Sequence, residues 1–254
     1  MSITRLFLKL FYNLAGCYSS AVKSPRRFMN LGFHSTKNHL KLKDADLKDE
    51  SFIRLYSELV RNLNMEGKSV LEVGCGRGGG CYIFSEYLGA ARIFGIDLSL
   101  ANIKLANQLN VHKNITFNEG NATKFTFEKE KFDFIVNLES SHCYHSKEDF
   151  FNRVYTALQD NGTFAYADLI NANKVEKTEA QLLGAGFTIL QKREFTSSVV
   201  DSIEINSAKQ SPFITKFPWL IPRFIKNINV VKGSDVHLKL QSKSVVYNCY
   251  TLVK

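Results

Sequence analysis

Two short stretches concentrate the side chains able to do chemistry. In NLESSHCYHS, residues 137–146, a carboxylate (Glu139), two imidazoles (His142, His145) and a thiol (Cys143) fall within seven positions. Such a set suits a metal site, a thiol nucleophile with its base, or an imidazole base on a loop. A metal needs three or four converging ligands, and no distant second cluster supplies them, so no metal is expected. The other two readings stay open on these residues alone. In LEVGCGRGGG, residues 71–80, Gly74, Gly76 and Gly79 satisfy G-x-G-x-x-G, with Asp97 a little over twenty residues further on. That spacing suits a nucleoside ligand whose ribose hydroxyls Asp97 accepts. Glu72, two residues before the first glycine, argues against a dinucleotide. A carboxylate at the mouth of the loop helps to hold an ammonium group and gives a pyrophosphate nothing. Read more blandly, the glycines are only a tight strand-to-helix turn.

Chemistry of this kind needs a frame, and the chain provides a regular one from about residue 50. Buried or alternating apolar runs predict strands at 69–74, 91–97, 115–120, 132–138, 162–169, 187–195 and 244–254. Helical spacing predicts helices at 51–63, 79–88, 99–110 with Ser99 as N-cap, 147–158 and 174–184. Strands alternating with helices imply an α/β fold with a doubly wound parallel sheet. The glycine loop then follows the first strand, and Asn137, Glu139 and His142 end the fourth, at the carboxyl edge where open sheets bind ligands. Residues 196–244 break the rhythm, with Pro212, Pro218 and Pro222 punctuating apolar pieces.

The N-terminus has a different character. Ile3, Leu6, Phe7, Leu10, Phe11 and Leu14 share one face of an amphipathic helix, and Arg5, Lys9 and Asn13 take the other. The run is too short to span a bilayer, and its polar residues interrupt the apolar stretch that an export signal needs. A lid on the domain, or a helix lying in a membrane interface, remains. The 254 residues carry a net charge of +9, with an excess of five basic residues in each flank, 1–50 and 200–254, and a near-neutral middle. No basic cluster is interleaved with aromatics as in a nucleic-acid module, so no nucleic acid is expected. Five scattered cysteines without a C-x-x-C pair imply neither a disulfide framework nor structural zinc, and a reducing cytoplasm fits.

Taken together, LEVGCGRGGG, GIDLS, FDFIVNLESSHCY, GTFAYADL and YNCYTLVK resemble the class I methyltransferases that use S-adenosyl-L-methionine (SAM). More narrowly, the chain is similar to the phthiotriol/phenolphthiotriol dimycocerosate methyltransferase group and to sugar and polyketide O-methyltransferases of natural-product pathways. The resemblance runs from about residue 28, through the F-M-N-x-G stretch, to the end. It implies a Rossmann-like, seven-stranded, mostly parallel sheet with the last strand antiparallel. It divides the chain into an N-terminal helical lid (1–50), a SAM-binding core (51–195), a substrate cap (196–244) and a final core strand (245–254).

The resemblance also assigns residues. Glu72, Gly74, Cys75 and Gly76 surround the methionine end of SAM, Asp97 and Leu98 the ribose and adenine, and Asn121 and Ala122 the adenine edge. Asn137 and Leu138 pass the amino-acid moiety. Most relatives have aspartate where this chain has Asn121. His142 becomes the general base and Asp168, ending the fifth strand, its partner, activating an acceptor hydroxyl. The expected function is O-methylation of a small hydrophobic, lipid-like, polyketide or glycosidic acceptor, with C- or N-methylation, or SAM binding without turnover, as the alternatives. Phe33, Glu139 and Trp219 are the candidate acceptor contacts. A cytoplasmic enzyme touching a membrane peripherally through its N-terminal helix fits these features.

Overall fold

The computed structural model describes residues 26–36, 40–127, 131–209 and 230–254. The amphipathic N-terminal helix and Trp219 lie outside the described residues. Seven strands form one sheet: β1 (Ser69–Val73), β2 (Arg92–Asp97), β3 (Ile115–Glu119), β4 (Phe132–Leu138), β5 (Leu158–Asn171), β6 (Thr188–Glu194) and β7 (Val245–Val253). Their spatial order is β3-β2-β1-β4-β5-β7-β6. All neighbours are parallel except those of β7, which runs antiparallel between β5 and β6. The order reverses between β1 and β4, so a crevice must open at their carboxyl ends.

Helices cover both faces because the inner strands are apolar on both sides. On one face α1 (Glu50–Leu59), α2 (Gly79–Glu86), α3 (Leu100–Leu109) and α6 (Thr196–Lys209) bury Ile53, Ile83, Ile103 and Ile203 in a common core. On the other, α4 (Lys147–Ala157) and α5 (Val175–Gly184) bury Phe150, Phe151 and Leu182. Local caps fix the starts of three helices: Ser99 accepts from the amide of Asn102, Ser146 from Asp149, and Ser234 from His237 at the head of α7 (Asp235–Gln241). Each such cap is worth about 1 kcal/mol.

The segment from 196 departs from expectation. Its serines, threonine and β-branched residues have modest helix propensity, yet α6 forms, because packing of Val199 and Ile203 overrides propensity. This helix packs into the core layer through Val199 and Ile203. The Ser202 hydroxyl donates to the carbonyl of Leu31 at 3.1 Å and so ties the 26–36 segment to α6. That segment also packs on the core, where Phe28 and Phe33 are buried.

Candidate active site

A cleft of about 970 Å³ opens at the carboxyl ends of β1 to β4, near the upper end of the range for small-molecule sites. Its first wall is the loop after β1. Gly74 has φ +76°, and a Cβ there would lie 2.3 Å from the Ser140 hydroxyl oxygen, so only glycine fits both the turn and the approach of the neighbouring strand. Behind the loop the Asn137 amide donates to the Val73 carbonyl at 2.8 Å and to the Ser140 hydroxyl at 2.6 Å, clamping the tip of β4 to that of β1.

Glu72 is placed differently from expectation. Its carboxylate is buried one layer behind the cleft, where it accepts from the Tyr56 hydroxyl at 2.7 Å and from the Cys81 amide at 2.9 Å. In β1 its side chain shares the face of Val70, towards α1 and α2, and the close pass of Gly80 keeps it there. Burial raises its pKa to about 7 against the lowering effect of those bonds. Tyr56, its hydrogen-bond partner, does line the cleft, and Glu72 does not. Asn137 is likewise fully buried behind the wall rather than in it.

The remaining nucleoside-site residues do line the cleft: Gly74, Cys75, Gly76, Asp97, Leu98, Asn121, Ala122 and Leu138. Asp97 ends β2, accepts from the Gly76 amide at 3.0 Å and from the Ser99 amide at 2.9 Å, and so holds the loop in place. Burial raises its pKa while these donors lower it. Asn121 uses its carbonyl oxygen to accept from the amide and hydroxyl of Thr123, both at 3.1 Å. Its amide nitrogen is buried without a partner among the described residues. An orphaned donor costs about 1–3 kcal/mol, which an acceptor on a ligand relieves. These features fit SAM: a glycine cradle, a carboxylate for ribose hydroxyls and a free amide donor for the adenine edge.

A second wall is built at the end of β4 and is backed by β5. Asp168 is fully buried and accepts four hydrogen bonds, from His142 Nδ1 (2.6 Å), the His142 amide (2.7 Å), the Leu169 amide (2.8 Å) and the Ser141 hydroxyl. Two backbone amides that can only donate and a pKa below the usual range keep Asp168 ionised, so the ring nitrogen facing it is a donor. His142 therefore carries its proton on Nδ1 in the neutral state, which leaves Nε2 as the basic nitrogen. Burial pulls the His142 pKa down, but the Asp168 charge and hydrogen bond, with the Cys143 thiol, overcome it and hold the ring well above its ordinary value. Burial raises Asp168, and His142, Lys147 and Ser141 outweigh this to bring it below the usual carboxylate range.

Glu139 sits beside this pair with a left-handed backbone, φ +49°, uncommon for a residue with a side chain. Its two oxygens accept from the Leu31 amide at 3.1 Å, and Oε1 also from the Tyr247 hydroxyl at 2.9 Å. It thus docks the 28–32 segment, whose Phe28, Met29 and Asn30 form a third wall. Burial raises its pKa to about 7 against the lowering effect of these donors and of His142. Phe33, by contrast, is not brought to the cleft. It packs edge-on against Phe195 with centroids 4.9 Å apart, because its place on the 26–36 segment turns it into the core. Ser140, Ser141, Tyr144, Tyr166 and Tyr247 complete the site without having stood out in the sequence.

Comparison with known proteins agrees with this geometry. Residues 64–209 match a family described as a methyltransferase domain. The chain is 32% identical to the phthiotriol/phenolphthiotriol dimycocerosates methyltransferase of Mycobacterium leprae, over 85% of this chain and 80% of that protein. It is 28% identical to the fatty-acid O-methyltransferase of Mycolicibacterium smegmatis, over 89% and 83% respectively. Among solved structures, the O-methyltransferase of a trans-AT polyketide synthase multienzyme of Brevibacillus brevis, in complex with S-adenosyl-L-homocysteine, superposes with a TM-score of 0.67. It shares 15% identity over 90% of this chain and 85% of that one, a likeness of fold.

Proposed function

We propose that this chain, which belongs to the methyltransferase-domain family and is a SAM-dependent methyltransferase, methylates a hydroxyl of a hydrophobic, lipid- or polyketide-like acceptor with His142 as general base. The observation that carries the reading is His142, which lines the same cleft as the nucleoside-site residues and is hydrogen-bonded to Asp168 buried behind it.

SAM, when bound, supplies a methyl carbon already activated by its sulfonium sulfur. What this chain must add is orientation and a place for the hydroxyl proton. Asp97, Asn121 and the glycine loop fix the cofactor end. Tyr144, whose hydroxyl contacts Ser140 Oγ at 2.7 Å, stiffens the joint between the two walls. His142 Nε2 accepts the proton as the oxygen attacks, and Asp168 stabilises the imidazolium that results. Base catalysis of this kind contributes about 10²- to 10⁴-fold, and alignment of the reacting atoms the rest. The ring must be neutral to act, and its pKa is raised, so transfer rises with pH through that pKa.

An apolar acceptor is supported by the cleft's mixed lining, with Phe28, Met29 and Leu138 beside the polar groups. The relatives named for phthiotriol/phenolphthiotriol dimycocerosates and for a fatty acid point the same way. The test is transfer of isotopically labelled methyl from SAM into an extract of the source cells, partitioned between organic and aqueous phases, with His142→Ala alongside. Label in the organic phase that is lost in the variant is the expected result. Label that persists in the variant removes His142 from the mechanism, and label confined to the aqueous phase removes the hydrophobic acceptor.

A further inference from the structure

Lys147 occupies a position that its own helix does not favour. It is the first residue of α4, where the helix macrodipole repels a cation, and it is partly withdrawn from water. Glu148 and Asp149, next in the same turn, are exposed, whereas Lys147 turns inward. Its ammonium donates to the Tyr166 hydroxyl oxygen at 3.2 Å and stands 5.9 Å from the Tyr166 ring centroid. Tyr166 is fully buried and its hydroxyl lies 2.8 Å from that of Ser141, which in turn contacts Asp168.

The hydrogens along this chain follow from its two ends. Asp168 is ionised and accepts only, so Ser141 donates to it. Ser141 Oγ must then accept from Tyr166, and the Tyr166 oxygen accepts from Lys147. Every bond points from the ammonium to the carboxylate. We propose that Lys147, through Tyr166 and Ser141, is the counter-charge that keeps Asp168 ionised and turned to His142, a positioning residue for the base. Apart from His142 itself, no other cation among the described residues is hydrogen-bonded into this chain. Without one, a carboxylate buried this deeply leans wholly on the imidazole, which then binds its proton too tightly to be a base at neutral pH. Lys147 shares that charge and leaves His142 able to give up its proton. The consequence for catalysis rests on His142 being the base; the electrostatic relation between the two residues does not.

The groups facing the His142 ring are Asp168 on β5, Cys143 on its own turn and Glu139 at the end of β4. Tyr144, Tyr166 and Tyr247 lie around Asp168, and Lys147 and then Lys174 lie beyond. Of these, Lys147 can be changed with least disturbance, because removing a cation from a helix N-terminus is not unfavourable to the helix.

The experiment is an NMR titration of the His142 ring nitrogens in the full chain, assigned with His142→Ala, for the wild type, Lys147→Met and Lys147→Arg. Lys147→Met should raise the His142 pKa by about one unit, and Lys147→Arg should leave it within a few tenths of the wild type. An unchanged or lowered value in Lys147→Met overturns the proposal, as does an equal rise in Lys147→Arg. If labelled-methyl transfer survives in His142→Ala while the Lys147→Met shift is present, the base reading fails and the counter-charge stands. If transfer is lost in His142→Ala and the shift is absent, the reverse holds.

Discussion

The two walls of the cleft are built by different means. The wall around β1 to β3 presents backbone: glycines in left-handed conformations, amides donated to Asp97, and one side-chain amide, that of Asn121, held by its own turn. The wall at β4 and β5 presents side chains held by other side chains, with partners from 26 to 108 residues apart: His142 with Asp168, Glu139 with Leu31 and Tyr247. A ligand shared by many enzymes is met by local, nearly rigid backbone. The wall to which the proposed function assigns the acceptor and its proton is a polar network whose parts come from across the chain, and such networks depend on every member being satisfied.

That difference predicts separable defects. Asp168→Asn removes the charge that orients His142 and places an amide donor among four donors, so methyl transfer should fall by about 10²- to 10⁴-fold. SAM affinity, measured by calorimetry, should stay within about twofold. Gly74→Ala does the reverse: its Cβ meets Ser140 and its φ is strained, a cost of about 1–3 kcal/mol that should weaken SAM about tenfold or more. Loss of SAM binding in Asp168→Asn, or normal binding in Gly74→Ala, would break the distinction between the walls.

Each wall also has one buried glutamate with a pKa near 7, Glu72 behind the first and Glu139 in the second. For both, the folded pKa lies above the unfolded value of about 4.3. Their contribution to stability is therefore fully present below that value and is lost as pH rises through about 7. The midpoint of thermal unfolding should fall between pH 5 and pH 8, and Glu72→Gln or Glu139→Gln should each flatten the fall, by on the order of 1–3 kcal/mol per group. Only Glu139→Gln should also lower the His142 titration, since Glu139 faces that ring. A fall of equal steepness in both variants and the wild type would show that the carboxyls are ionised at pH 5.

The same contrast explains what could be read in the sequence. The glycine loop, Asp97 and the strand-helix rhythm are local patterns, and all seven strands fall where periodicity put them. The His142–Asp168 hydrogen bond joins residues 26 apart, and periodicity says nothing of it; only the resemblance to a family put the two side by side. Glu72 was misplaced because alternation along β1 sends it to the helix face, and nothing in LEVGCG tells which layer covers that face. Phe33 looked like acceptor surface because an aromatic near the chain's start carries no sign of its partner, here Phe195. The helix at 196–209 escaped because its stability comes from packing, and Lys147, Tyr166 and Tyr247 because their partners are distant in the chain.

The smallest effect tests the first wall at its one side-chain amide. The family resemblance sets Asn121 where most relatives have aspartate, and its carbonyl oxygen is already taken by Thr123, so what it offers the cleft is a donor. Adenine presents both an acceptor nitrogen and an amino donor on one edge, so asparagine and aspartate each have a partner there, but alanine has none. One hydrogen bond is worth about 0.5–1.5 kcal/mol net. Asn121→Ala should therefore weaken SAM about three- to tenfold, and Asn121→Asp should stay within about threefold of the wild type, with transfer at saturating SAM unchanged in both. Equal, full affinity in all three would mean that the backbone alone reads the nucleoside. A loss in Asn121→Asp as large as in Asn121→Ala would mean that the donor has no substitute, and that this chain grips the adenine edge differently from its relatives.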